Sequence, residues 1–462
     1  MLASMRQSAQ TGVRSQPLSA RVFAAMLAAA AVGCASVTHI ENQPLAKYQP
    51  GAGYAADLVQ TADGGKLRVV LAFSGGGTRA SALAYGVLKQ LRDTEIVVDG
   101  EKQRLLDMVT TISSVSGGSF TSAYYGLYGD RIFDDYEERF LRRNIDARLA
   151  TGSLRPVEML RLALTPYTRS DMAIDLHDKE VFDGATFADL AEKPGPILYI
   201  NATDIDVGSV FTFIQPAFDM ICSDLSTLRV AQAVTASSAV PGIFAPLRLE
   251  NHAGTCEHPE PAWIQHALAN PTESRRRHHD ALYAASYLDR KKRPNIYLVD
   301  GGVADNIGAR RILGDVTATG GFWELVRKAE IEVPETVLFI VVNAQAGGHH
   351  GWAQKAKVPS LATVLSAVSS VGIYRYNFET IELLRESATR WSEEAKARGK
   401  SLDTFVAEVA FDNLAEAKDR DFFNAVETSF NLDDETVDRL IEVGGRLLRD
   451  SPDFQKFLAD LR

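Results

Sequence analysis

A three-layer α/β body, with a central and mostly parallel sheet covered on both faces, is the fold class that this 462-residue chain predicts. Three observations predict it. Short apolar runs alternate with helix-patterned stretches through most of residues 67–345, the rhythm of strands buried on both faces. Three of those runs stop abruptly at turns of small residues, Ser74–Arg79, Ser116–Gly118 and Asp300–Gly302. Hydrophobic residues make up 46% of the chain and charged residues 23%, enough for a large core and too ordinary for wholesale disorder. In sheets of this kind, sites form outside the carboxyl ends of the strands.

The elements follow in order. Leu67 to Phe73 is a continuous apolar strand broken only by Arg68, and it runs into Ser74-Gly75-Gly76-Gly77-Thr78-Arg79. Helix pattern then covers Arg79 to Leu91. Met108 to Val115 is the next strand, and Phe120 to Tyr128 the helix beyond its turn. Residues 131–190 read as amphipathic helices and loops, among them Phe133–Leu149. Strands are expected at Ile197–Ala202, Val210–Ile214, Ile296–Val299 and Val337–Val342, with a helix at Leu228–Ala236. Residues 251–294 interrupt the alternation with basic runs, Arg275–His279 and Arg290–Arg293; the expectation is a solvated insertion, and the bolder alternative is a lid or a lipid-headgroup contact. Residues 346–462 read as helical, as in Leu361–Arg385 and Glu435–Arg449, and are expected to pack on the same domain as residues 67–345.

Residues 1–33 read as a targeting segment. Arg6, Arg14 and Arg21 precede the uncharged stretch Val22–Val32, which is too short to span a bilayer but fits a signal-peptide core. It ends at Ala31-Val32-Gly33-Cys34, which resembles a bacterial lipoprotein signal with Cys34 as the lipidated residue; ordinary secretory cleavage is the alternative. That resemblance implies a cell-envelope protein, and Ala35 after the cysteine favours the outer membrane. Residues 34–66, rich in Pro and Gly, are expected to be a tether. Loss of the three leader arginines takes the formal charge from −10 to −13. A body so acidic is not built to hold nucleic acid or anionic lipid through its general field, so membrane contact is expected from the acyl anchor. Cys222 and Cys256 either pair, which would stabilise the fold by roughly 3–4 kcal/mol, or remain two buried thiols.

The chemistry is read from the turns. Ser116, in Ile112-Ser113-Ser114-Val115-Ser116-Gly117-Gly118-Ser119, sits between a strand and a helix, the arrangement that thrusts a serine hydroxyl forward as a nucleophile. Gly75, Gly76 and Gly77 offer unscreened backbone N–H groups near a helix N-terminus and suit an oxyanion or a phosphate. No Gly-Lys-Ser/Thr follows them and the G-x-G-x-x-G spacing is missing, so nucleotide-binding loops are excluded. Arg79 could orient this turn, meet a substrate phosphate, or be a surface charge. Asp300 is the candidate proton acceptor, or the group that orients one; Asp305 reads as the cap of a helix starting near Ile307. Together these residues point to ester cleavage through an acyl-serine.

Four blocks, Ser74–Ala80, Ser114–Gly118, Ala236–Pro246 and Asp300–Gly302, resemble the patatin-like phospholipases in order and spacing. The resemblance covers about residues 67–345. It implies that Ser116 is acylated, that Asp300 is the general base of a histidine-free dyad, that the glycine turn holds the oxyanion, and that the substrate is a phospholipid or lysophospholipid, with no metal or other cofactor. Ser74, Ala80 and Ser114 depart from the family's usual aspartate, glycine and glycine; being small, they are expected to let the turn form. A rival order, Ser116, Asp300 and then His349 or His350, is that of the α/β-hydrolase triads. A non-catalytic envelope lipoprotein that binds lipid or a partner is the reading from another class.

Overall fold

The computed structural model describes residues 37–55, 65–98, 100–328, 332–346 and 360–461. Cys34 and both rival histidines, His349 and His350, lie outside the described residues.

Nine strands form the main sheet: β1 Thr38–His39, β2 Leu67–Phe73, β3 Val109–Val115, β4 Ile197–Asp204, β5 Ser209–Thr212, β6 Leu247–Glu250, β7 Asn295–Val299, β8 Thr336–Asn343 and β9 Asp403–Ala410. Their order is β1-β6-β7-β4-β3-β2-β8-β9, with β5 added to β4. From β4 to β9 every pairing on that path is parallel. Alternation along β8 makes the three layers visible. Leu338, Ile340 and Val342 face one core, with helices α1 Gly77–Asp93, α2 Gly117–Tyr128, α3 Val230–Ser237 and α9 Asp434–Asp450. Val337, Phe339 and Val341 face another, with α7 Ala309–Thr319 and α8 Leu361–Ala397. Side chains that are two residues apart on a strand share a face, so one apolar run feeds both layers.

Two expectations need correction. Residues 37–55 are not a free tether: β1 pairs with β6, Ile40 and Tyr54 are buried, and the Leu45 and Tyr48 N–H groups donate to the carbonyls of Cys222 and Cys256. Residues 346–462 are not all helical, because β9 lies parallel to β8 over eight residue pairs. Its Phe405, Val406, Ala407 and Val409 are buried, a β-branched and aromatic pattern hidden between two long helical stretches. The insertion expected at residues 251–294 carries two helices, α4 Ala262–Ala269 and α5 Arg275–Tyr287, which pack on each other through Ile264, Ala267, Ala281 and Ala284.

Candidate active site

Ser116 stands at the junction of β3 and α2 with φ 51° and ψ −122°, a conformation that costs energy for any residue with a Cβ. The tight reversal is possible because its neighbours have no side chains. A Cβ on Gly117 would lie 2.1 Å from the Gly77 carbonyl oxygen, and one on Gly118 would lie 2.7 Å from Phe73 Cβ. The nucleophile turn and the glycine turn are thus in backbone contact. Ser81 ties them further, its hydroxyl donating to the Gly117 carbonyl at 2.7 Å.

Asp300 reaches the same place by a route that the parallel-sheet rule does not foresee. Its strand, β7, runs antiparallel to β4, pairing Val299 with Thr203 and Leu298 with Asp204. Asn201 of β4 pairs with Val115 of β3 and with Thr212 of β5, so β3 and β5 flank opposite edges. Thr203 and Asp204 pair with both β5 and β7, which puts β7 on the edge that β3 occupies. β4 outruns β3, and β7 comes in along the overhang from the other direction. The two strands meet end to end, and their next residues are Ser116 and Asp300.

Ala236–Pro246 holds the junction. Ser237 Oγ accepts the Ser116 N–H at 2.8 Å and donates to the Asn201 carbonyl at 2.6 Å. The Ser237 carbonyl accepts the Gly301 N–H at 3.0 Å, and the Ala239 carbonyl accepts the Asp300 N–H at 2.9 Å. One helix end therefore grips both the serine and the acid. Sequence reasoning found this block but gave no role to Ser237. Ser237 and Ser238 are adjacent and chemically alike, and only the fold turns one inward; Ser238 instead bonds back to the Val234 carbonyl at 2.8 Å.

Asp300 is buried; the Gly302 N–H donates to its Oδ1 at 2.7 Å, and the Ser116 hydroxyl lies near enough to favour the ionised form. Burial pushes its carboxyl up to about 6, against the opposing pull of those two groups. Among the described residues no cation pairs with it and no histidine hydrogen-bonds either group. Such a carboxylate is poised to take a proton near neutral pH.

The glycine turn supplies donors, though not all three. The Gly75 N–H donates to the Asn306 carbonyl at 3.0 Å and is spent. The N–H groups of Gly76 and Gly77 have no partner among the described residues, and both sit at the N-terminus of α1. Gly75 has a different use, because a Cβ there would lie 2.6 Å from Asn306 Oδ1 and 3.2 Å from Ser116 Cβ.

Arg79 does not face this turn from outside. It is buried, and it donates to the Ala344 carbonyl at 2.8 Å, the Val426 carbonyl at 2.5 Å and Thr428 Oγ1 at 2.9 Å. Burial pulls its guanidinium down to about 10. The surface-charge and substrate-phosphate alternatives for Arg79 do not fit this position. Two of the departures from the family pattern carry bonded hydroxyls: Ser74 accepts the Ala344 N–H at 2.8 Å, and Ser114 meets Ser122 Oγ at 2.6 Å. Asp305 caps α7 from just outside it, accepting the Arg310 N–H at 2.7 Å. Cys222 and Cys256 form a disulfide with Cα atoms 5.4 Å apart. No described helix is long and apolar enough to cross a membrane.

Among solved structures the chain is similar to human GIVD cytosolic phospholipase A2, at 12% identity and a TM-score of 0.40, covering 88% of this chain and 64% of that one. It is also similar to VipD from Legionella pneumophila, at 12% identity and a TM-score of 0.29, covering 86% and 67%. The chain thus spans somewhat less than two thirds of the human enzyme. No curated protein matches it. Residues 71–312, more than half of the chain and the stretch that holds the serine turn, the acid and the glycine turn, match the family described as patatin-like phospholipase, and the chain belongs to that family.

Proposed function

We propose that this chain hydrolyses the carboxylic ester bonds of membrane lipids, phospholipids or lysophospholipids, through an acyl-enzyme on Ser116. Asp300 takes the hydroxyl proton as Ser116 Oγ attacks the ester carbonyl. The oxyanion that forms is held by the free N–H groups of Gly76 and Gly77, helped by the N-terminal dipole of α1. Asp300 then returns the proton to the departing alcohol, leaving the acyl group on Ser116. Water attacks that ester with Asp300 again as base, and the fatty acid leaves with the hydroxyl restored.

The observation that carries this reading is the end-to-end meeting of β3 and β7, which brings the Ser116 hydroxyl beside the Asp300 carboxylate with the Ser237 helix end bonded to both residues. It supports the dyad over the triad. The test is turnover of a phospholipid and of a fluorogenic short-chain ester by wild type, Ser116→Ala, Asp300→Asn and the double variant His349→Ala/His350→Ala. The single substitutions are expected to lower kcat by on the order of 10³-fold or more, and the double histidine variant to keep wild-type turnover. Loss of activity in the histidine variant would overturn the dyad, and full activity of Ser116→Ala the whole reading. A fluorophosphonate probe is expected to label wild type at Ser116 only.

Localisation in a bacterial envelope, anchored by lipid on Cys34, is proposed with it. The Cys222–Cys256 disulfide favours an oxidising compartment. Cys34→Ser is expected to shift the protein from the membrane to the soluble fraction.

A further inference from the structure

A cavity of about 720 Å³ lies between the α4–α5 pair, α7 and α8, well supplied with arginine. Ala304, from the short helix α6 Gly302–Asp305, lines it, whereas Ser116 and Asp300 do not. This space is therefore not the ester-cleaving site.

Its wall includes Arg275, Arg276, Arg310 and Arg390. None of the four has an ion-pair partner among the described residues. Arg310 donates to Thr380 Oγ1 at 2.8 Å and lies 4.4 Å from the ring centroid of Tyr376; Arg390 donates only to Ser387 Oγ, at 3.1 Å. Nearby arginines are paired, Arg311 with Asp315 at 2.5 Å and Arg293 with Asp204 at 2.5 Å. Asp280 is the one acid lining the cavity, and burial holds its carboxyl above the usual range, against the pull of His279, Arg276 and Arg310.

Several like charges gathered around one space repel each other, and this chain, at a net −10, has no surplus of basic residues to scatter. Guanidinium groups left without carboxylates match phosphate oxygens, which they can grip in pairs. The rest of the wall differs in kind: Phe211, Trp263, Leu313 and Trp391 offer an apolar surface. A charged end and an apolar end in one cavity describe an amphiphile.

We propose that this cavity binds a phosphate-headed amphiphile, with the phosphate at Arg275, Arg276, Arg310 and Arg390 and the hydrocarbon against Trp263 and Trp391. The phosphate could be a lipid headgroup or a soluble phosphate, and the experiment separates them. Tryptophan fluorescence of the full chain carrying Ser116→Ala, so that no lipid is consumed, is followed on titration with dihexanoyl phosphatidylglycerol and, separately, inorganic phosphate. The expected result is a saturable change with the lipid, weakened at least tenfold in Arg275→Gln/Arg276→Gln and in Arg390→Gln. Arg275→Gln/Arg276→Gln should unfold at the same temperature as its parent, since those two side chains have no hydrogen-bond or ion-pair partner among the described residues; the unfolding temperature of Arg390→Gln, which loses the bond to the buried Ser387 hydroxyl, is measured alongside.

If inorganic phosphate at tenfold higher concentration fails to compete, the lipid is the source. Competition at equal affinity keeps the arginine site and assigns it to soluble phosphate. No saturable response to either probe, or a response indifferent to the arginine substitutions, overturns the proposal. Binding is read without turnover, so failure of the ester-cleaving reading would leave this result standing on its own.

Discussion

Three of the buried carboxylates among the described residues, Asp204, Asp305 and Asp300, are handled in three ways, and the contrast explains what sets Asp300 apart. Asp204 is matched by the Arg293 guanidinium at 2.5 Å and the Tyr287 hydroxyl at 2.8 Å. Asp305 is spent on capping, facing the backbone N–H groups ahead of and inside α7, although burial pushes its carboxyl up to about 6. Asp300 has no cation beside it, so its proton affinity is set by burial against the Gly302 N–H and the nearby Ser116 hydroxyl. The proposed mechanism needs Asp300 ionised in the free enzyme, so kcat/KM is expected to rise with pH through about 6 and level off above it. A pH–rate profile of Asp305→Asn checks the assignment, because the same inflection must persist there. The stability sign is opposite. The folded state binds the Asp300 proton more tightly than the unfolded chain does, at about 6 against 3.8. Ionising it therefore costs the fold up to about 3 kcal/mol above both values, a cost that disappears as pH falls from 6 towards 4. Asp300→Asn is expected to unfold at higher denaturant concentration than wild type at pH 8, and to lose that advantage near pH 4.

At the level of elements, the site depends on how closely backbones approach. α1 carries the glycine turn at its N-terminus and packs against α9 through paired glycines. A Cβ on Gly86 would lie 2.1 Å from the Ile441 carbonyl oxygen, and one on Gly444 would lie 2.4 Å from the Leu83 carbonyl oxygen. Neither neighbour is a flexible side chain that could swing aside. Gly444→Val is therefore expected to separate the helices, at a cost of about 1–3 kcal/mol, and to lower turnover by shifting Gly76 and Gly77. Thermal unfolding and kcat are the checks; unchanged kcat in a destabilised variant would mean that the turn is held independently of α9. The disulfide acts on another element. It fastens residues 34 apart and braces the segment that receives Leu45 and Tyr48. Removing it with Cys222→Ala/Cys256→Ala is expected to cost roughly 3–4 kcal/mol, read from denaturant midpoints with and without reductant.

The whole molecule closes through its last quarter. β9 extends the parallel sheet beyond β8, α9 covers α1, and residues 426–429 meet the glycine turn directly. The Ser429 carbonyl accepts the Thr78 N–H at 2.9 Å, and Arg79 spans from the exit of β8 to Val426 and Thr428. A chain ending at residue 400 keeps the whole of the family-matched stretch, 71–312. It nonetheless exposes the edge of β8 and strands a buried guanidinium. Such a truncation is expected to be insoluble or inactive in expression and ester-turnover assays. Arg79→Lys in the full chain, which preserves charge but loses the planar fork, is expected to lower both thermal midpoint and kcat.

Legible in the residues alone were the alternation that makes an α/β layer structure, the serine turn after a strand, the glycine run and the Asp-Gly pair. These are local matters of period and backbone freedom, and local matters survive in one dimension. The direction of β7, the spending of the Gly75 N–H on Asn306, the inward turn of Ser237 and the strand hidden at 403–410 were decided elsewhere. Each depends on which distant segment lies alongside, and the partners are joined by contacts spanning from a few tens to more than two hundred residues. Asp300 shows the division most plainly. Its identity as an acid in a strand-ending turn is written in the chain, but its meeting with Ser116 exists only because β4 outruns β3 and leaves an edge for β7 to follow back.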